Sequence, residues 1–490
     1  MGSRCRLAPL TVLVALLLAV LTGCDRGQRL EFVVEQEGQA LGRVEVRLRP
    51  VAADSSRQEI ATELEATLSA LGESFELRLE ERIVIDPRTG LARSIERRSR
   101  LGDLEVAARL TSDADSVRIV APDGGRLHVA RAPDLLLEDG LHFAFLLRGL
   151  AAARPDTTWS YRGVDLDRGR ILDVVAHREP STTLTAPEGT REAAVVRLAY
   201  PGIDAVRRLW IDPASGLLLE SLGGDGVRLR QGGLAPGQRR ETVMLDSLIL
   251  APVAVRIEDP GRIRRLRLRA VIDTPGIVID PAELQQPGQR FAGEVRGSHI
   301  EGVFELAYPP YDGRGAPSFP PPPGAYADPS LRPYLQPEAF IESDDPDLVA
   351  LARRLTAGSA DCWEAVRRLA RWVDTEIGYA VPGGGTAAAT LAQRRGECGS
   401  HSRLLAGFCR AVGIPARMVI GGTYFVADQP YFGQHGWTEI HLGEAGWIPL
   451  DATLGQTEVL GSGHIRLGEI AAFQPESVEI LEHELAASAP

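Results

Sequence analysis

The stretch Arg394–Arg417, RRGECGSHSRLLAGFCRAVGIPAR, places one cysteine where a helix begins. Leu404, Leu405, Phe408, Cys409 and Val412 recur at helical spacing, and Gly413 followed by Ile414-Pro415 ends the helix. Cys398 therefore falls in the first turn. There the unpaired N–H groups and the positive end of the macrodipole favour an anion, which raises the thiolate fraction at neutral pH. Two candidate partners follow in order, His435 opening the strand HGWTEIHL and Asp451 closing the strand WIPLDAT. A thiol prepared by its helix, an imidazole to serve as base and a carboxylate to orient the imidazole make up the set that nucleophilic catalysis requires.

Upstream of the cysteine the pattern is helical. Asp345 caps a helix with Pro346 in its first turn, followed by Leu348, Val349, Leu351, Ala352 and Leu355. Asp361 and Glu364 form a capping-box-like start to a second helix whose buried stripe is Trp363, Val366, Leu369, Ala370, Val373 and Ile377. Gly383-Gly384-Gly385 leads into a short helix, Thr386 to Gln393. No Lys-Ser/Thr follows these glycines, so they are not a phosphate loop. Two other histidines compete as the base. His401 lies on the helix of the cysteine itself, poorly placed for its thiol, and His441 stands six residues beyond His435, roughly 20 Å along a strand.

The ordered motifs G-x-C with an amphipathic helix and G-I-P-A-R, then H-x-W-x-E-I, then W-x-P-L-D-A-T, resemble the transglutaminase-like superfamily of papain-type thiol enzymes. The resemblance covers Pro337 to Leu467. It implies Cys398 as nucleophile, His435 as its base and Asp451 as the group that orients the imidazole. It also implies an oxyanion donor, for which Gln393 and the backbone N–H of Cys398 are the candidates. Ser400 stands where many members carry an acidic residue, and Gly436 and Thr438 flank Trp437 where Ala and Asn are common. The simplest roles for Trp437 and Trp447 are packing or cleft walls, and Arg417 is read as structural. A hairpin turning through Gly443 to Gly446 pairs Asp451 nearer Thr438 or Glu439 than His435, so twist, a bulge or a displaced strand is expected to bring the two together.

The chain of 490 residues is long enough for two to four domains, with 44% hydrophobic and 24% charged residues. A net charge of −12 without a basic run gives no footprint for nucleic acid or for an anionic membrane surface. Every basic residue is arginine, so the protein has no lysine amine of its own to offer in a transamidation.

From Leu30 to about Tyr308 strands alternate with turns, as in RLEFVVEQEGQALGRVEVRLRP, and a helix is expected only over Leu135 to Ala152. The expected fold class is α+β: a C-terminal papain-like, transglutaminase-like core of helices and antiparallel sheet, preceded by a large, mostly antiparallel β region over 24–308. One turn occurs twice, at Ile85–Leu91 and at Ile211–Leu217. This fits either a duplicated sheet unit of about 125 residues or common hairpin chemistry arising twice. His128, His142, His177 and His299 show no metal-ligand spacing. Residues 309–337, with Pro320-Pro321-Pro322-Pro323, read as an interdomain linker ahead of a thiol domain at 338–490.

Arg4 and Arg6, an apolar run from Leu10 to Leu21 and the sequence Leu21-Thr22-Gly23-Cys24 resemble a bacterial lipoprotein signal, with lipidation of Cys24 after removal of 1–23. The competing reading is a plain signal peptide cut nearby. Cys362, Cys398 and Cys409 remain in a compartment that permits disulfides. Cys398 and Cys409 lie eleven positions apart on one helix, roughly 16 Å, and cannot bridge. With no C-x-x-C pair, neither a metal nor a redox motif is present and no cofactor is expected. The expected function is therefore an exported, membrane-anchored thiol enzyme acting on amide bonds of a protein or peptide, cell-wall peptide included, most simply by hydrolysis. Transamidation is the alternative within the same chemistry, and an inactive envelope scaffold is the alternative outside it.

Overall fold

The computed structural model describes residues 28–486, apart from 37, 52–53, 71–72, 87–90, 103, 122–125, 133–134, 138–147, 167–168, 187–188, 202–204, 224–225, 235–237, 245, 275–276, 382, 384 and 470–471. Residues 1–23, expected to be a leader, Cys24, His142 and most of the first copy of the repeated turn lie outside the described residues. The fold is α+β, mostly antiparallel strand with its helices near the C-terminus. It divides into two compact units, the first running essentially to Val243 and the second from Met244 to the end.

The first unit is built from two runs of antiparallel strands. Gln28–Gln36 leads through Gln39–Val51, Asp54–Ala70, Glu73–Asp86, Leu91–Leu101, Leu104–Ser112 and Ser116–Val120 to Arg126–Ala130. The second run passes from Thr158–Asp165 through Arg170–Ala186, Gly189–Tyr200, Ala205–Ile211 and Leu218–Gly223 to Arg228–Gln231, which pairs back onto Gln28–Gln36. Alternation makes these strands two-faced: Val44, Val46, Leu48 and Ile60 turn into the apolar core, while Arg49 and Glu59 pair on the outer face at 2.6 Å. The second copy of the repeated turn behaves as its residues require. Asp212 Oδ1 accepts from Ala214 N and Ser215 N, and Gly216 takes φ +73°. The helix expected over 135–152 is corrected at its start, where Leu135–Leu137 is a strand pairing in parallel with Thr158–Asp165; Arg148–Ala151 is helical, and 138–147 lie outside the described residues. A three-leucine run is as good a strand as a helix when a sheet edge is there to receive it.

In the second unit, the helices Pro346–Thr356, Cys362–Glu376, Ala387–Gln393 and Cys398–Ala411 share one core with the sheet behind them. Their starts follow from the sequence. Asp345 accepts from Asp347 N and Leu348 N, Asp361 from Glu364 N and Thr386 from Ala389 N, which satisfies first-turn donors that would otherwise be orphaned. Leu348, Val366, Leu369, Leu404, Leu405 and Phe408 are fully buried between them. The sheet has Ala416–Phe425 at its centre, flanked by Tyr431–His441 and His464–Gly468. Trp447–Leu450 and Leu250–Pro252 add to opposite ends of the far edge of Tyr431–His441.

A second, four-stranded sheet backs the first, in the order Gln289–Arg296, His299–Leu306, Ile263–Asp273, Gln474–Leu485. Leu266, Leu268, Ile272 and Phe304 form its core with Phe432, Ile465 and Phe473. Phe473 packs so closely on the strand below that a Cβ at Gly422 would lie 2.2 Å from its ring.

Two domain assignments are corrected here. The boundary lies at 243/244 rather than at 308, because the last strand, Gln474–Leu485, completes its sheet with Ile263–Asp273. The proline-rich stretch 309–337 is not a linker between domains but a strap inside the second unit. Cys362 N donates to Pro317 O at 2.8 Å, Tyr311 sets its ring edge-on to Trp363 at 5.1 Å, and Tyr334 OH donates to Glu469 at 2.8 Å. Proline stiffens a chain whether or not it is packed, so composition alone cannot separate a strap from a linker.

Candidate active site

Cys398 is the first residue of its helix, capped by Glu397, whose carboxylate accepts from Ser400 N at 2.9 Å. Its thiol is partly exposed, whereas Cys362 and Cys409 are buried; all three are free. Burial raises the Cys362 thiol to about 11 and pushes Cys409 higher still, so both stay protonated.

His435 is 2% exposed, and its Nε2 lies 2.7 Å from Asp451 Oδ2. Since Nε2 faces the carboxylate, Nδ1 is the nitrogen left for the Cys398 thiol, which hydrogen-bonds the ring. Burial pulls the imidazole down, but the charges of Asp451 and Cys398 and hydrogen bonds to both outweigh it and hold His435 at about 10. Asp451 is fully buried. Burial alone would raise its carboxyl, yet His435 and His464 together keep it well below the ordinary carboxylate range. Its other oxygen accepts from Thr453 N at 3.0 Å and Leu454 N at 3.3 Å, fixing the turn that carries it.

The strand register explains how His435 and Asp451 meet. Leu450 pairs with Thr438, so the next residue, Asp451, comes level with Trp437, which shares its face of the sheet with His435. The two side chains are diagonal neighbours across an antiparallel pair, a reach of roughly 7–8 Å between backbones that a histidine and an aspartate span. The expected bulge or displaced strand is not needed.

The competing histidines are engaged elsewhere. His401 contacts Glu397 O through Nδ1 at 3.0 Å and Ile377 O through Nε2 at 3.1 Å, tying its own helix to the end of Cys362–Glu376. His441 stacks edge-on against Tyr326 and Trp447. Gln393 is exposed at the last residue of its helix. Trp437 is buried beside His435 and His464, and Trp447 covers the Arg417 guanidinium at 4.0 Å. Arg417 itself pairs with Glu439 and Glu469.

Two residues near the site gave no sequence signal. His464, 1% exposed, also contacts Asp451 Oδ2, at 3.1 Å. Tyr379 is 58% exposed, and its phenol is held above its ordinary value, first by partial burial and then by the negative charges of Cys398 and Glu397. Among the described residues, His435, Asp451 and His464 hold ligand-type atoms within 4.8 Å of one another, as do Asp273, His299 and Glu476. In the first group hydrogen bonds account for all of these atoms. In the second, His299 Nδ1 is paired with Asp273 at 2.9 Å. None of the described helices is long and apolar enough to cross a membrane.

Residues 349–452 match the family model of the transglutaminase-like superfamily, a family of thiol enzymes. No curated protein matches the chain. Among solved structures, the chain is similar to one from Cytophaga hutchinsonii provisionally described as a cysteine protease, at 17% identity over 46% of this chain and 92% of that one, with a TM-score of 0.33. It is also similar to a β-barrel-like protein from Brucella abortus with a domain of unknown function (11% identity, 42% and 93% covered, TM-score 0.31). A third similar structure, from Parabacteroides distasonis, is provisionally described as a protease (14% identity, 73% and 64% covered, TM-score 0.19).

Proposed function

We propose that this chain, whose residues 349–452 carry a transglutaminase-like core, is a thiol enzyme that cleaves amide bonds through Cys398, His435 and Asp451. The observation that carries the reading is the buried 2.7 Å contact between His435 and Asp451, with the other ring nitrogen left for a thiol at a helix start. The Cys398 thiolate attacks the amide carbonyl carbon, and the oxyanion is received by the backbone N–H of Cys398, one of the first-turn donors that have no partner within a helix. His435 gives its proton to the leaving amine as the C–N bond breaks, leaving a thioester on Cys398. Water then attacks the thioester with His435 taking its proton, and the acid leaves as the thiolate is restored. Asp451 orients the imidazole throughout and stabilises its charge.

Hydrolysis is preferred to transamidation because water needs no second binding site. Gln393, exposed on its helix, is left out of the oxyanion site. The leader 1–23 and Cys24 support an exported, lipid-anchored enzyme whose substrate is a protein or a peptide, cell-wall peptide included. The test is amine release from a peptide panel, with and without an added primary amine, alongside labelling of Cys398 by an electrophilic thiol probe. Release that needs no amine, and is lost with Cys398→Ala, is the expected result. Capture of a partner without labelling or turnover would replace this reading with the scaffold.

A further inference from the structure

Asp451 is held by two imidazoles, and the reaction as proposed uses only one of them. His464 Nε2 lies 3.1 Å from Asp451 Oδ2, and its Nδ1 lies 2.9 Å from Gly461 O. A backbone carbonyl only accepts, so Nδ1 carries a hydrogen; an ionised carboxylate only accepts, so Nε2 must carry one as well. With both contacts made, the ring donates from each nitrogen.

Its placement is fixed on every side. The His464 carbonyl accepts from Tyr308 OH at 3.0 Å, and the ring stands edge-on to Trp437 at 5.1 Å. The strand that carries it is drawn against its neighbour so tightly that a Cβ at Gly421 would sit 1.8 Å from Ile465 O.

We propose that His464 is a positioning residue of the same reaction, a charged second donor that fixes the Asp451 carboxylate and shares it with His435. This rests on the reading of Cys398, His435 and Asp451 as the reacting set. Sharing has a chemical consequence. His435 must release its Nδ1 proton to the leaving amine, and an unshared buried carboxylate at Nε2 would stabilise the imidazolium and so keep that proton on the ring too firmly. A second cation, with ring centroids 5.9 Å apart, weakens the hold by competing for Asp451 and by repelling the His435 imidazolium. Among the other charged groups around this cluster, the Cys398 thiolate faces His435 and raises it, as Asp451 does. Asp374, on the helix Cys362–Glu376, is coupled to Asp451 and His401, and Arg466 beyond His464 is paired with Glu439 at 2.7 Å. The facing position on the central strand is the neutral Thr423.

The experiment uses the full chain with His464→Gln, which keeps a donor and removes the charge, and His464→Leu, which removes both. For His464→Gln, kcat is expected to fall about tenfold with KM little changed, and the alkaline limb of kcat/KM to move up by about half a unit or more. His464→Leu is expected to lose more. Nitrogen-15 histidine spectra of wild type should show both His464 nitrogens protonated at neutral pH, and His435 titrating higher in the Gln variant. These spectra decide the inference even if no peptide is turned over, which keeps its failure separate from that of the thiol-enzyme reading. An unmoved alkaline limb and unmoved His435 titration, with only thermal stability lowered, would overturn it. So would a stoichiometric divalent metal in the wild type that His464→Gln loses.

Discussion

The imidazole of His435 meets the carboxylate of Asp451 diagonally across an antiparallel strand pair, Nε2 to Oδ2 at 2.7 Å, with Trp437 level with the aspartate. Both side chains are almost wholly shielded from water, where a charge pair is stronger and its loss more damaging than on the surface.

The first expectation concerns the members of this set. Cys398→Ala should abolish turnover with the melting temperature nearly unchanged, because the thiol is partly exposed. His435→Ala should cost several orders of magnitude in kcat, with losses that do not add. Asp451→Asn should be milder in rate. Asp451→Ala should destabilise the fold by about 3–5 kcal/mol, since it strands two buried imidazoles and removes the acceptor of the Thr453 and Leu454 N–H groups. Chemical denaturation alongside kinetics separates the two effects.

Stability should depend on pH in a direction set by His435. Its folded value is about 10, above the ordinary 6.5, so its contribution is fully present below about 6.5 and is lost as pH rises towards 10. Asp451 acts oppositely: its depressed carboxyl contributes above the ordinary aspartate range, and that contribution is lost on acidification. Melting temperatures should fall from pH 7 to 10, and His435→Gln should flatten that slope. A slope that His435→Gln leaves unchanged would assign it to other groups.

Residues 309–337 should resist limited proteolysis. A chain of 244–490 should fold, whereas 338–490 should not, because it leaves the strand Gln474–Leu485 without Ile263–Asp273. Gly313→Ala should destabilise the strap by about 1–3 kcal/mol: φ is +87°, and the new Cβ would lie 2.8 Å from Trp363 Cδ1. Circular dichroism of the two fragments and urea melts of the variant are the checks.

The mature N-terminus should be a diacylated Cys24 in the membrane fraction, and Cys24→Ala should release the protein to the soluble one. Mass spectrometry of the mature chain decides this. An unmodified terminus elsewhere would leave a secreted protein.

Local patterns determined much of this protein. Spacing and caps at Asp345, Asp361, Thr386 and Glu397 fixed the helices, because capping and amphipathic periodicity act within a few residues of one another. The same patterns set Cys398 at a helix start and ordered His435 and Asp451 after it. Tertiary structure alone decided the rest. Sheet parity turned a register that seemed to separate His435 from Asp451 into a diagonal contact. Burial brought in His464, which has no motif around it. Strand pairing across some 200 residues joined Ile263–Asp273 to Gln474–Leu485, and contacts with Trp363 and Cys362 made a strap of a proline-rich stretch. These are contacts between residues far apart in the chain, whose energy depends on what is buried against what, and no local window of sequence contains that information.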